Sequence, residues 1–165
     1  MNKIITIILF AFIAALVVIN FSSNAEQPSD TEILESTGLT KEDWIKKLTE
    51  MEYYVIWEKG TERPFTGDLL KNKKKGVYVS AGCKEPVFHS DHKFESGTGW
   101  PSFWKPLSED AIKLVPDNTF GMTRREIVSS KCGEHLGHVF KDGPEPTGLR
   151  YCINSASLDF VEEND

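Results

Sequence analysis

The first regular pattern of apolar positions along the chain is helical. Beyond a polar stretch, apolar side chains recur at intervals of three and four residues, at Trp44, Ile45, Leu48 and Met51. This spacing puts them on one helix face, where packing is their expected role. Thr40 stands just ahead and is placed to cap the amide of Asp43. We therefore predict one helix of about ten to fourteen residues after Thr40.

From residue 60 onward the pattern changes to short apolar runs separated by glycine and proline. Runs with β-branched or aromatic residues lie at 77–79, 87–88, 127–128, 138–140, 151–153 and 158–160. Short strands with frequent turn signals indicate an antiparallel, mainly β domain. We also expect a second short helix at 108–112.

The N-terminus has the pattern of a targeting segment. A positive region at 1–3 precedes an apolar run at 4–19 and small residues at 23–25. These features favour a cleaved signal peptide over residues 1–25, with an uncleaved membrane anchor as the alternative. We expect export to the periplasm or secretion, a polar linker at 26–38, and one folded domain at 39–165.

Charge argues against one class of partner. The chain has 19 lysine and arginine residues against 25 aspartate and glutamate residues, a formal net charge of -6. Since a phosphate-binding surface needs a basic face, nucleic acid is not expected as a partner.

Two turns of the type Ser-x-x-Cys end at Cys83 and Cys132. With cysteines in place of Ser80 and Ser129, the four residues would form the signature of a tetrahedral structural zinc. Serine is a poor zinc ligand, so we expect no structural zinc. If the turns face each other, the two sulfurs can form a disulfide, with two buried free thiols as the alternative. Disulfides persist in the oxidising compartments to which the leader points.

Cys152 is the first candidate nucleophile. It lies in an apolar, strand-like run between Arg150 and Asn154. A thiol becomes a thiolate only with help from cations or hydrogen-bond donors. His135 and His138 lie upstream, and we favour an acid–base or substrate-orienting role for them near Cys152. Locally satisfied histidines are the alternative, and a metal site lacks a clear third ligand.

Trp100 lies in a glycine-rich turn at 96–103. The turn is not a phosphate loop, because no Lys-Ser or Lys-Thr pair follows it. Neighbouring glycines would let the backbone present the indole at a surface. A core tryptophan is nevertheless the default interpretation without further information.

Four segments together carry a family resemblance: 60–67, 94–103, 132–140 and 147–155. In this order they resemble the B-type methionine sulfoxide reductases, and the similarity extends over about residues 40–160. The resemblance implies two antiparallel β-sheets with a few short peripheral helices. It also implies reduction of the R epimer of peptide-bound methionine sulfoxide, which repairs oxidised proteins.

The resemblance also implies a role for each candidate residue. Cys152 would attack the sulfoxide sulfur as a thiolate and become a sulfenic acid. His138, His135 and Asn154 would position water and stabilise the charge on the sulfoxide oxygen. Trp100 would pack against the terminal methyl group of the substrate. Arg150 is a further candidate for lowering the pKa of the Cys152 thiol.

The chain departs from the family pattern at two places. Zinc-containing members have all four cysteines, whereas this chain retains Cys83 and Cys132 alone, so we expect no cofactor. Many members have a resolving cysteine where this chain has Thr98. We therefore expect an external thioredoxin-like protein or a small thiol to reduce the sulfenic acid, with resolution by Cys83 or Cys132 as the alternative. We expect the substrates to be oxidised proteins or peptides. We also expect the enzyme to be a monomer.

Two other function classes remain as alternatives. A binding module that keeps the fold without the chemistry is favoured by the missing cysteines and opposed by the joint presence of Cys152, His138, Asn154 and Trp100. A Cys–His hydrolase or acyltransferase would need an oxyanion hole, for which no signature is present.

Overall fold

Three short helices open the folded part of the chain. The computed structural model describes residues 28–164, so the predicted leader at 1–25 lies outside the described residues. The helices are α1 (Asp30–Thr37), α2 (Lys41–Lys47) and α3 (Glu50–Ile56). None of the helices in this described part is long and apolar enough to cross a bilayer.

The single helix predicted after Thr40 is wrong, because the structure divides it into α2 and α3. Leu48 leaves the helical conformation, and Thr49 then starts a new helix with its own capping box. Such a box satisfies amides at the helix start that have no helical acceptor. The predicted apolar face is also only half correct. Trp44 is buried, whereas Ile45 and Met51 are exposed.

The structure differs from the expected linker at 26–38. Helix α1 lies within this range and begins with a capping box between Ser29 and Glu32. Its Ile33 is buried and belongs to a small core with Trp44 and Trp57. Short polar helices are hard to recognise from sequence when a single apolar residue attaches them to the core.

Two antiparallel sheets form the remainder and confirm the predicted mainly β fold. The three-stranded sheet has the order β2-β1-β9, with bounds β1 (Gly76–Ser80), β2 (Pro86–His89) and β9 (Leu158–Glu162). The six-stranded sheet has the order β3-β4-β8-β7-β6-β5. Its bounds are β3 (Lys93–Phe94), β4 (Ser102–Phe103), β5 (Ile112–Asp117), β6 (Arg124–Ser129), β7 (His135–Phe140) and β8 (Arg150–Ile153).

The helix predicted at 108–112 is wrong. Residues 108–111 form a turn in which the Ala111 N–H donates to the Ser108 carbonyl. Ile112 then starts β5 and pairs with Ser129 of β6. Sheet pairing therefore overrides the local helical preference, as tertiary context commonly does.

The main core is aromatic. The ring of Phe103 stacks on that of Phe88, with centroids 4.5 Å apart, and meets Tyr78 edge-on at 5.0 Å. Offset stacking and edge contacts are the favoured arrangements of aromatic pairs. Since Phe103 belongs to β4 and Tyr78 to β1, these contacts hold the two sheets together.

A disulfide joins Cys83 and Cys132, the pairing that the two Ser-x-x-Cys turns favoured. The serines close their turns as acceptors: Ser80 Oγ accepts the Glu85 N–H at 3.2 Å, and Ser129 Oγ accepts the Glu134 N–H at 3.3 Å. The Glu134 carboxyl is fully buried and accepts the Cys83 N–H at 2.8 Å. Burial raises the pKa of Glu134. Covalent and hydrogen bonds therefore connect the two turns directly.

Removing this disulfide should destabilise the protein. The two cysteines are 49 residues apart in sequence, and the loop-closure model assigns about 4 kcal/mol to a crosslink of this length. We expect the double variant Cys83→Ser/Cys132→Ser to lose stability by roughly this amount, measured by urea unfolding.

The control for this experiment is Cys152→Ser, which leaves the disulfide in place and should keep most of the stability. Non-reduced peptide mapping of protein from its natural compartment provides an independent check. Free alkylation of both Cys83 and Cys132 there would contradict the pairing.

Candidate active site

Cys152 lies in a row of residues that crosses four strands of the six-stranded sheet. Strand register makes His138 of β7 the partner of Cys152 on one side and Ser102 of β4 its partner on the other. On β6, Glu126 is the partner of His138. Cross-strand partners lie about 5 Å apart, so the register brings together residues far apart in sequence.

Strand alternation sorts the side chains of these strands between two faces. Side chains at every second position point to the same face. On β8, Tyr151 and Ile153 belong to the core, so Arg150 and Cys152 point to the opposite face. Val139 on β7 and Ile127 on β6 belong to the same core. The polar side chains of the site therefore share the face opposite the core.

A cavity of about 170 Å³ opens at Cys152. Its walls include Trp100, Arg124, His138, Phe140, Cys152 and Asn154. Gly137 of β7 permits the close approach of β8, because a Cβ atom there would lie 2.0 Å from the Cys152 carbonyl oxygen. Trp100 thus lies at a cavity wall and not in the core, the position that the family resemblance implied.

The Cys152 thiol is held mainly in its protonated form. Burial raises its pKa, although the Arg150 charge and hydrogen bonds from Thr98 and Arg150 act in the opposite direction. Arg150 is fixed by two hydrogen bonds to the Asp142 carboxylate, both 2.9 Å, and its guanidinium lies 4.5 Å from the centre of the Phe140 ring. Arg150 is therefore a fixed cation beside the thiol.

His138 is oriented by a carboxylate. Its Nε2 lies 2.8 Å from Asp117 Oδ2. Burial alone would raise the pKa of Asp117, but hydrogen bonds from Thr119 and His138 and the Arg124 charge hold it well below its usual range. Because Asp117 is ionised, His138 Nε2 carries the proton and Nδ1 is left as an acceptor.

The His138 ring is kept neutral. Burial is the main cause that lowers the pKa of His138, and the charge of Arg124 adds to it. The hydrogen bond to Asp117 opposes this shift without reversing it. A neutral imidazole beside a thiol can accept the thiol proton.

Arg124 is a cavity residue that sequence analysis missed. It donates to Asp117 Oδ2 at 2.7 Å, and its Nε–H is buried without a hydrogen-bond partner among the described residues. Asp117 ends β5 and Arg124 begins β6. Both lie outside the four segments that carried the family resemblance. Their pairing in the strand register is what places them beside His138.

His135 lies outside the cavity wall. It packs edge-on against His138, with ring centroids 5.4 Å apart. Its Nδ1 bonds to Glu126 Oε1 at 2.8 Å, and Lys59 bonds to the other oxygen at 3.1 Å. Burial tends to raise the pKa of Glu126, but His135 and Lys59 lower it overall. Neither Lys59 nor Glu126 was expected from the sequence.

The polar groups of Asn154 and Trp100 both bond to Glu62. Asn154 Oδ1 accepts the Glu62 N–H at 3.1 Å, and Asn154 Nδ2 donates to the Leu136 carbonyl at 3.1 Å. The Trp100 indole N–H donates to the Glu62 carbonyl at 3.1 Å. Glu62 lies in the motif at 60–67, which carried the family resemblance but suggested no role.

Ser80, Cys83, Ser129 and Cys132 form what we call the apex of the two Ser-x-x-Cys turns. These residues do not fit a zinc ion. Their sulfurs are bonded to each other, and both serine hydroxyls accept backbone N–H groups. Across residues 28–164, no group of three or more His, Cys, Asp and Glu side chains is arranged to hold a metal ion.

The site places an unpaired thiol in a small cavity, beside a histidine held by a carboxylate and an indole. This arrangement on an antiparallel β fold fits an oxidoreductase. Comparison with known proteins agrees with this class. A model of the SelR domain matches residues 48–162.

Curated relatives have high identity over nearly their whole length. A peptide methionine sulfoxide reductase MsrB of Methanosarcina mazei is 58% identical over 126 residues, which cover 76% of this chain and 90% of the relative. The corresponding protein of Leptospira interrogans is 57% identical over 122 residues, which cover 74% and 93%. The chain therefore belongs to the MsrB family of methionine sulfoxide reductases, which are oxidoreductases that act on sulfur.

The charge of Arg150 should be measurable in the reactivity of Cys152. Because Arg150 lowers the pKa of the thiol against the effect of burial, Arg150→Met should move it further upward. The pH dependence of alkylation by iodoacetamide measures this midpoint, and Arg150→Lys should shift it less because it keeps the charge. Arg125→Met removes an exposed arginine as a control. An unchanged or lower midpoint in Arg150→Met would contradict the assignment.

Proposed function

We propose that the chain reduces the R epimer of peptide-bound methionine sulfoxide, with Cys152 as the nucleophile. The observation that carries the proposal is that the cysteine outside the disulfide shares one small cavity with Trp100, His138 and Asn154. Family membership supports the substrate class, since the relatives are named peptide methionine sulfoxide reductases.

The reaction begins with transfer of the Cys152 thiol proton to His138 Nδ1. The thiolate then attacks the sulfoxide sulfur, and the proton passes on to the sulfoxide oxygen. Attack forms a transient bond between the two sulfurs; the hydroxyl group then moves from the methionine sulfur to Cys152, and the S–O bond to methionine and the transient sulfur–sulfur bond both break. Methionine leaves with two more electrons on its sulfur, while Cys152 loses two electrons and ends as a sulfenic acid, S–OH. All atoms are conserved in this step, since the oxygen comes from the substrate and the proton from the thiol.

The charge and the shape of the cavity support these reaction steps. Arg124 and Asn154 line the cavity in which negative charge develops on the sulfoxide oxygen, and preorganised donors stabilise such charge. His135 acts behind His138 by holding its ring through an edge contact. The Trp100 indole provides an apolar surface for the terminal methyl group.

Regeneration of the thiol requires a second reaction. Two external thiols reduce the sulfenic acid, which yields the Cys152 thiol, one disulfide and water. Thr98 cannot form a disulfide, and Cys83 and Cys132 are joined to each other and do not line the cavity. These facts support direct reduction by a thioredoxin-like protein or a small thiol.

Location, assembly and cofactor content complete the proposal. We propose an exported, monomeric enzyme without a metal cofactor, in the periplasm or secreted, or membrane-anchored if the leader is retained. The disulfide supports an oxidising compartment. The bonded sulfurs and the serine hydroxyls at the apex support the loss of zinc.

The central test is stereospecific turnover. With a dithiol reductant, we expect the protein to reduce a peptide that contains methionine R-sulfoxide and to leave the S epimer unchanged. Cys152→Ser should lower the rate by on the order of 10⁴-fold or more, because the nucleophile is lost. Chromatography of the two epimers gives the readout. Turnover of the S epimer, or activity in Cys152→Ser, would refute the proposal, and binding without turnover would favour a binding module.

Recycling can be tested separately. Cys83→Ser and Cys132→Ser should leave the steady-state rate with a thioredoxin-type donor unchanged, whereas a resolving thiol would be essential. Thr98→Cys should trap the oxidised enzyme as an intramolecular disulfide, seen as protection of Cys152 from sulfenic-acid reagents. Thr98→Ser is the matched control and should remain open to these reagents. A large loss of rate in either cysteine variant that remains folded would disprove direct reduction.

A further inference from the structure

We propose that Glu62 is a positioning residue that fixes both Trp100 and Asn154 at the cavity. The inference rests on the function proposed above and assigns a role to the motif at 60–67. Glu62 is buried and is not among the residues that line the cavity. It therefore acts through other residues and not on the reacting atoms.

The main chain of Glu62 makes the two contacts that matter for the site. Its N–H donates to Asn154 Oδ1, and its carbonyl accepts the Trp100 indole N–H, both at 3.1 Å. A side-chain amide is oriented by the partners of its two ends, and Asn154 has Glu62 at one end and Leu136 at the other. The position of one residue thus sets the amide and the indole together.

The side chain of Glu62 holds this main chain in place. Oε1 accepts the Ser155 N–H at 2.7 Å, and Oε2 accepts the Ala156 N–H at 2.9 Å. Hydrogen bonds to an ionised group are about twice as strong as neutral ones. Since Ser155 directly follows Asn154, the carboxylate attaches the motif at 60–67 to the segment that carries the site amide.

Gly67 provides the space that this arrangement needs. A Cβ atom at residue 67 would lie 2.2 Å from Ser155 Oγ and 2.7 Å from Glu62 Oε1. Both distances are too short for real atoms, so an alanine must displace the carboxylate or the serine. Gly67→Ala therefore disturbs the same contact by volume, without changing any charge.

Kinetics should separate positioning from general stability. For Glu62→Ala we expect kcat/KM on the R-sulfoxide peptide to fall by about 10- to 100-fold, the effect of displacing site groups by about 1 Å. Glu62→Gln should lose less, because its amide keeps one acceptor oxygen. The pH midpoint of Cys152 alkylation should stay the same, since no contact joins Glu62 to the thiol. Glu35→Ala removes an exposed glutamate as the control.

A double variant tests whether the two perturbations act on one contact. Gly67→Ala should reduce kcat/KM in the same direction as Glu62→Ala. Combining them should cost clearly less than the product of the two single effects, since contacts that share partners are not additive. Full additivity would overturn the shared mechanism, as would a kcat/KM within twofold of the parent in Glu62→Ala.

A readout independent of turnover distinguishes this inference from the proposed function. In the nitrogen–proton NMR spectrum, Glu62→Ala should accelerate solvent exchange of the Trp100 indole N–H, assigned through Trp100→Phe. The indole signals of Trp44, Trp57 and Trp104 should stay unchanged. If the parent protein lacks turnover but this signal responds, the function fails and the positioning role stands. An unchanged Trp100 signal, or equal changes at all four indoles, would overturn the positioning role.

Discussion

The pairing of β8 with β4 and β7 is the constraint on which the site depends. It makes Ser102, Cys152 and His138 cross-strand partners, and the register of β6 adds Glu126 to the same row. A slip of one residue would exchange the two faces of a strand. Tyr151 and Ile153 would then leave the core, so the same burial that stabilises the fold also fixes which side of β8 carries the thiol.

Burial has opposite consequences for the ionisable groups of this face. It raises the pKa of Cys152 and lowers that of His138, so the resting site pairs a neutral thiol with a neutral imidazole. Asp117 stays ionised because Thr119, His138 and Arg124 surround it with donors and positive charge. The site thus keeps its fixed charges in paired groups, next to a neutral thiol and a neutral imidazole.

The chain holds the apex of its two Ser-x-x-Cys turns together without the four sulfurs of a zinc site. A disulfide joins Cys83 to Cys132, and the hydroxyls of Ser80 and Ser129 accept the N–H groups that close each turn. The buried Glu134 carboxyl adds a bond across the gap. This solution suits an oxidising compartment, where a disulfide persists.

The sequence by itself determined the mainly β class and the capped start of α2 at Thr40. Through the family motifs it also indicated Cys152, His138, Asn154 and Trp100 as candidate site residues, and these four line one cavity. These depend on local signals, namely turn residues, caps and short motifs. Only the tertiary structure decided the break between α2 and α3, the place of α1, and the partners Asp117, Arg124, Glu126 and Glu62. Their roles depend on strand register and on main-chain contacts between segments up to about 90 residues apart, as between Glu62 and Asn154. No pattern within a single segment of the chain records such contacts.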